Sequence, residues 1–213
     1  MKLPVHIEIA KSGTVAEKIT QEVFVVKKEA KRDLLKKILA QYHGTILIFS
    51  RTKIGAYKIT RAIREMGHNA AEIHADRSLA QRREALEGFK SGKYRILVAT
   101  DIAARGIDVK HIELVLNYDL PDDSENYIHR IGRTGRIGDK GHAISFATPE
   151  QGKDVKDIEK LMRMALPVAE HPEMKLESFI EHKPVKVASF GGRRFGRGGR
   201  SRGYIASAFR KSR

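Results

Sequence analysis

The chain has 213 residues, 41% of them hydrophobic, with a net charge of +15 and a pI of about 10. That is enough for one domain with extensions, and the excess of Lys and Arg favours a polyanionic partner, nucleic acid before membrane, because clustered cations displace counterions from phosphates. The lack of cysteine excludes disulfides and thiolate zinc sites, the nine His show no paired zinc spacing, no apolar run approaches the roughly 18 residues of a membrane helix, and MKLPVHIEIAKSG has no signal-peptide pattern, so a soluble cytoplasmic protein is expected.

Residues 1–16 are mixed in character and are expected to be a linker. After them, apolar runs of strand length alternate with helical patterns. The strand-like runs are EVFVV (22–26), TILIF (45–49), AAEI (70–73), RILVA (95–99), ELVLN (113–117) and HAISF (142–146). Several are apolar at consecutive positions, as in strands buried on both faces. Between them, 28–42 carries a stripe of Leu34, Leu35, Ile38, Leu39 and Tyr42. The spacing predicts a second helix over 53–66, with Ile59, Ile63 and Met66 inward, Thr52 as N-cap and Gly67 as the stop. A third, over 78–90, offers Leu79, Leu86 and Phe89. Thr148-Pro149-Glu150-Gln151 has capping-box spacing with proline at N1, so a last helix is expected to start there and run to about Leu166. Strand and helix alternating at this spacing mean an α/β fold, a parallel sheet covered by helices on both sides. From Pro184 the pattern stops. GGRRFGRGGRSRG (191–203) cannot bury enough apolar surface to fold alone, and 184–213 is expected to be a disordered basic tail. Lys183 to Arg213 hold ten Lys and Arg and no acid, so the other 182 residues carry only +5.

Open parallel sheets bind ligands beyond the carboxyl ends of their strands, and polar residues collect there. Ser50-Arg51-Thr52 follow the second run, His74 and Asp76 the third, Thr100-Asp101 and then ARGID (104–108) the fourth, and Asn117, Tyr118 and Asp119 straddle the end of the fifth. HRIGRTGR (129–136) sets three arginines, a histidine and two glycines in eight positions. If it is helical, His129, Arg133 and Arg136 share a stripe and Arg130 points about 100° away. Gly132 and Gly135 make room for a close approach, since glycine inside a helix costs roughly 0.5–1 kcal/mol against alanine. The plainer alternative is a solvated basic helix end. No G-x-x-x-x-G-K-[ST] phosphate loop accompanies this segment anywhere in the chain.

LIFSRTK (47–53), VATDIAARGID (98–108) and HRIGRTGR (129–136) together resemble motifs IV, V and VI of the DEAD-box RNA helicases, in the right order and over roughly residues 15–167. GFKSG (88–92) and NYDLP (117–121) resemble the bacterial RhlE-like subgroup. The resemblance implies a RecA-like domain over 17–167, a connector over 168–183 and the basic tail over 184–213. It also implies the second of two RecA-like domains, because the Q motif, Walker A loop and D-E-A-D sequence of the first are absent. KLPVHIEI is then read as the linker from an N-terminal RecA-like partner domain that carries those motifs.

The family roles fall on matching positions only. Arg133 and Arg136 match arginine fingers that reach the γ-phosphate of ATP. His129 and Arg130 match residues that couple the nucleotide to the first domain. Asp108 matches a carboxylate near the ribose, although a turn or cap carboxylate would look the same. Arg51, Thr52, Thr100, Arg105 and Gly106 match positions along the RNA backbone, and Thr52 can cap its helix as well. Arg82 matches the arginine of motif IVa, but the glutamine usually found three residues earlier is Leu79 here. Mg²⁺ would be held mainly by the first domain, so no metal ligand is assigned. The chain is thus expected to be the C-terminal half of an ATP-dependent RNA helicase, inactive alone. A non-catalytic RNA-binding or chaperone module, and the motor half of another superfamily 2 translocase, remain open. The tail is expected to bind RNA through its arginines and interspersed aromatics, the alternative being a purely solubilising extension.

Overall fold

A computed structural model describes residues 19–104, 107–109, 111–135 and 141–180. The apolar runs become six parallel strands: β1 (Ile19–Val25), β2 (Ile46–Phe49), β3 (Ala70–Ile73), β4 (Ile96–Ala99), β5 (Leu114–Asn117) and β6 (Gly141–Ala147). Their order is β1-β6-β5-β2-β4-β3, with β3 and β1 at the edges. Side chains of a strand alternate between faces, and here both faces are apolar. Ile46 and Ile48 join one core cluster while Leu47 and Phe49 join another.

Each cluster is closed by helices. α1 (Lys31–Gln41) and α2 (Lys53–Glu65) cover the first face through Leu34, Leu35, Ile38, Leu39, Ile59 and Ile63. α3 (Leu79–Lys90) covers the other face with Ala85 and Phe89. Over β1 and β6 the same work is done by Tyr127 and Ile131 of α5 (Ser124–Ile131) and by Val155, Ile158 and Met162 of α6 (Gly152–Met162). A single turn, α4 (Asp101–Ala104), follows β4. The expected α/β sandwich is therefore present.

Several local expectations are met for the reasons given. The Thr52 hydroxyl accepts from the Gly55 amide at 3.0 Å, and Gly67, after α2, has φ +86°. Three details differ. Leu79 is 71% exposed, because α3 packs beside the edge strand β3 and only its Ala85–Phe89 side reaches the sheet. The last helix opens as a 3-10 turn over Pro149–Gln151 and ends at Met162, where Arg163 turns left-handed at φ +57°. Residues 167–180 then run back along β1. The Val23 amide donates to the Pro167 carbonyl, and the Ala169 and Glu177 amides donate to Val23 and Val25, each at 2.9 Å. This strip covers an edge that would otherwise present unpaired backbone groups. The basic tail expected over 184–213 lies outside the described residues.

Candidate nucleotide and nucleic-acid site

The carboxyl end of the sheet is where the polar side chains gather. A pocket of about 420 Å³ lies there, with Phe49 and Asp101 on its floor and Asn126, His129 and Arg133 on the α5 side. HRIGRTGR forms this wall differently from a continuous helix. α5 ends at Ile131, and Gly132 is its C-cap. Arg133 and Thr134 follow in a tight turn whose amides donate to Arg130 and Ile131 at 3.1 and 3.0 Å. Gly135 has φ +67°, and a Cβ on Gly141 would sit 2.5 Å from its amide. The close approach expected of the glycines is thus made, at Gly135, by the start of β6 in the same chain.

His129 is exposed at the pocket wall. Arg133 is half-buried beside it, its Nε donating to the His129 carbonyl at 3.2 Å and its Nη1 to the Ile107 carbonyl at 3.0 Å. The ARGID stretch is thereby tied to the α5 wall. Asp108, one residue along, is exposed. Arg105, Gly106 and Arg136 lie outside the described residues.

Arg130, pointing away from His129 and Arg133, is 2% exposed and is the largest fully buried side chain among the described residues. Its Nε and Nη2 donate to both oxygens of Asp101 at 2.6 and 2.7 Å, the two-pronged geometry a guanidinium offers a carboxylate. Its Nη1 donates to Asn117 Oδ1 at 3.1 Å and to the Asp119 carbonyl at 2.6 Å. The guanidinium also lies 5.0 Å from the Phe49 ring centroid. Arg130 therefore joins α5 to α4 and to the ends of β2 and β5.

A second, wider cavity of about 770 Å³ opens next to this one, around Arg51, Thr52, Lys58 and Asp119. Arg51 is exposed, with Nη2 donating to the Leu120 carbonyl at 3.2 Å and Nε 3.2 Å from Asp122. Lys31 enters from α1, its side chain 5% exposed, and pairs with Asp119 at 3.1 Å. Burial pushes the Lys31 ammonium below the ordinary lysine range, against the pull of Asp119, and pushes the Tyr118 hydroxyl up to about 12. Thr100 follows β4, half-buried, and its carbonyl accepts from the Ala104 amide. Arg82 lies on α3, half-buried, its Nε without a partner. The rim thus collects Arg51, Thr52 and Thr100 at one end of the sheet, with Arg82 on the helix after β3. No group of three or more His, Asp or Glu able to hold a metal occurs among the described residues.

Lys31 and the partners of Arg130 escape sequence reading. Lys31 stands at i relative to Leu34, Leu35 and Ile38 at i+3, i+4 and i+7, so it heads the buried stripe, the one available signal. Asp101 and Asn117 are visible as rim residues, but their partner Arg130 is 29 and 13 residues away.

A parallel sheet covered by helices on both faces, with cations along its carboxyl rim, is an α/β domain of RecA-like type. Comparison with known proteins narrows this. The helicase conserved C-terminal domain matches residues 30–138. The ATP-dependent RNA helicase DbpA of Bacillus subtilis is 39% identical over 194 residues, which is 91% of this chain and 40% of that protein. A DEAD box protein from the hyperthermophile Methanococcus jannaschii superimposes with a TM-score of 0.69 at 36% identity, over 73% of this chain and 43% of that one. S. cerevisiae Dbp5 bound to RNA and ADP BeF3 gives 0.66 at 33% identity, over 71% and 41%. The chain belongs to the helicase conserved C-terminal domain family, as a RecA-like domain of the DEAD-box type. It spans about 40% of the length of DbpA.

Proposed function

We propose that this chain acts as the C-terminal half of an ATP-dependent RNA helicase, supplying arginine fingers and part of an RNA path to an N-terminal RecA-like domain. What supports it is one observation: the α5 wall sets His129 and Arg133 at an open pocket, while the sequence holds no phosphate loop to bind the other side of a nucleotide. Arg133 and Arg136 then neutralise charge on a γ-phosphate held elsewhere, Asp108 meets the ribose, and His129 and Arg130 couple the two domains. Mg²⁺ falls to the partner domain. Arg51, Thr52, Arg82, Thr100, Arg105 and Gly106 carry the RNA backbone. Dbp5, which shares this fold, was solved with RNA and a nucleotide analogue together. The same reading takes the chain, on GFKSG and NYDLP, as RhlE-like and cytoplasmic. Joined to a compatible first domain, the chain is expected to hydrolyse ATP in response to RNA and not to DNA. Stimulation by DNA would favour another superfamily 2 motor, and RNA binding with no turnover would favour a chaperone module.

The tail belongs to the same reading. Removing residues 184–213 is expected to weaken RNA binding without unfolding the domain. Each phosphate neutralised on single-stranded RNA adds about 0.7 to the slope of log K against log salt, so engagement of half the tail charges sets a drop of roughly 3 to 4. Titration of labelled RNA at several salt concentrations reads this, and identical slopes for full and truncated chains would make the tail a spectator.

A further inference from the structure

We propose that Lys31 is a positioning residue for RNA binding: held at Asp119, it keeps the Ser50–Arg51–Thr52 turn in the shape that meets an RNA backbone. This rests on reading Arg51 and Thr52 as part of the RNA path. Lys31 lies outside every motif, and where it lines the wider cavity its side chain is only 5% exposed.

The turn leaves β2 and hangs on one carboxylate. Asp119 Oδ2 accepts the Arg51 amide at 3.2 Å and stands 3.4 Å from the Ser50 hydroxyl, which also donates to the Thr52 carbonyl at 3.2 Å. Gly55 lets the first turn of α2 settle onto these atoms, because a Cβ there would lie 2.4 Å from Ser50 Oγ. The Asp119 backbone is fixed by Arg130 at 2.6 Å, but its carboxylate is 29% exposed, so water competes for it with the donors of the turn. Lys31 decides between them. Its ammonium donates to Asp119 Oδ1 at 3.1 Å and to the Tyr118 carbonyl at 2.7 Å, and lies 5.3 Å from the Tyr118 ring. With Oδ1 held from within, Oδ2 faces the turn. A methionine would fill the same space without the desolvation penalty of an ammonium, so packing alone does not account for a lysine here.

The test uses the full chain, with isotope-labelled amides and a single-stranded oligouridylate as the RNA probe. The Gly55 amide, bonded to Thr52 Oγ1, reports RNA at the turn separately from RNA on the tail. In Lys31→Met, the Arg51 amide is expected to lose hydrogen-exchange protection. The RNA concentration that half-shifts Gly55 should rise roughly tenfold, the scale of one charge-assisted hydrogen bond. The salt slope of that midpoint stays unchanged, whereas a direct phosphate ligand would lower it by about 0.7. Asp119→Asn should reproduce the loss, and the two substitutions together should add nothing further, as for residues acting through one another. The Ile73 amide, across the sheet, reports that the fold is intact. Should Lys31→Met not fold, Asp119→Asn carries the same measurement at Arg51 and Gly55. Unchanged protection and midpoint, or a lowered salt slope, would overturn the proposal. Arg51→Ala separates the two layers. If it weakens binding at Gly55 and Lys31→Met does not, only the positioning role falls. If Arg51→Ala has no effect, the RNA-path reading falls and takes the proposal with it.

Discussion

Fused to an N-terminal RecA-like domain, the chain carrying Arg133→Ala is expected to turn over ATP about a thousandfold more slowly, with its fold intact. Arginine fingers contribute about 10³–10⁵ in rate to phosphoryl transfer, because they meet charge that develops only as the phosphoryl group moves. The fold should survive because Arg133 is only half-buried, so water can reach the His129 and Ile107 carbonyls that it leaves. The loss should fall on kcat, with ATP affinity little changed, as for an interaction made in the transition state. Arg136→Ala is expected to behave alike. Near-normal turnover by either variant would remove that arginine from the catalytic step.

The second large effect is on stability. Arg130→Met is expected to lower the unfolding free energy of the chain by about 3 kcal/mol, the low end of the range for breaking a buried ion pair. The low end applies because Asp101 is 30% exposed and water takes over part of its solvation, whereas Asn117 is fully buried and loses a hydrogen-bond donor outright. Denaturant unfolding with an unchanged m-value measures it. A loss under 1 kcal/mol would mean that Asp101 and Asn117 find other partners once the guanidinium is gone.

Much of the sheet was legible in the sequence because its strands are apolar on both faces, so runs such as ILIF and ILVA stand out without any periodicity. α2 was legible at both ends, since Thr52 and Gly67 mark them by local chemistry. Leu79 misled because helical spacing alone does not say how wide a face the sheet offers, and beside an edge strand it is narrow. HRIGRTGR misled in shape for a related reason. Its glycines predict a close approach but not what approaches: Gly132 closes α5, and it is Gly135 that meets Gly141 of the same chain. The divergence of Arg130 from His129 and Arg133 was readable from helical angles, but its destination was not, because Asp101, Asn117 and Asp119 arrive by strand order. Lys31 was hardest. Its partner Asp119 is 88 residues away, and a lysine on an amphipathic helix ordinarily belongs to the wet face.

That the chain is half of an ATP site is tested most directly by phosphate release from the purified 213-residue protein with ATP and Mg²⁺, in the presence and absence of RNA. Background release in both is the expected result, since Arg133 and Arg136 stabilise charge only on a phosphate that another domain has already bound. Robust RNA-stimulated turnover by this chain alone would contradict it.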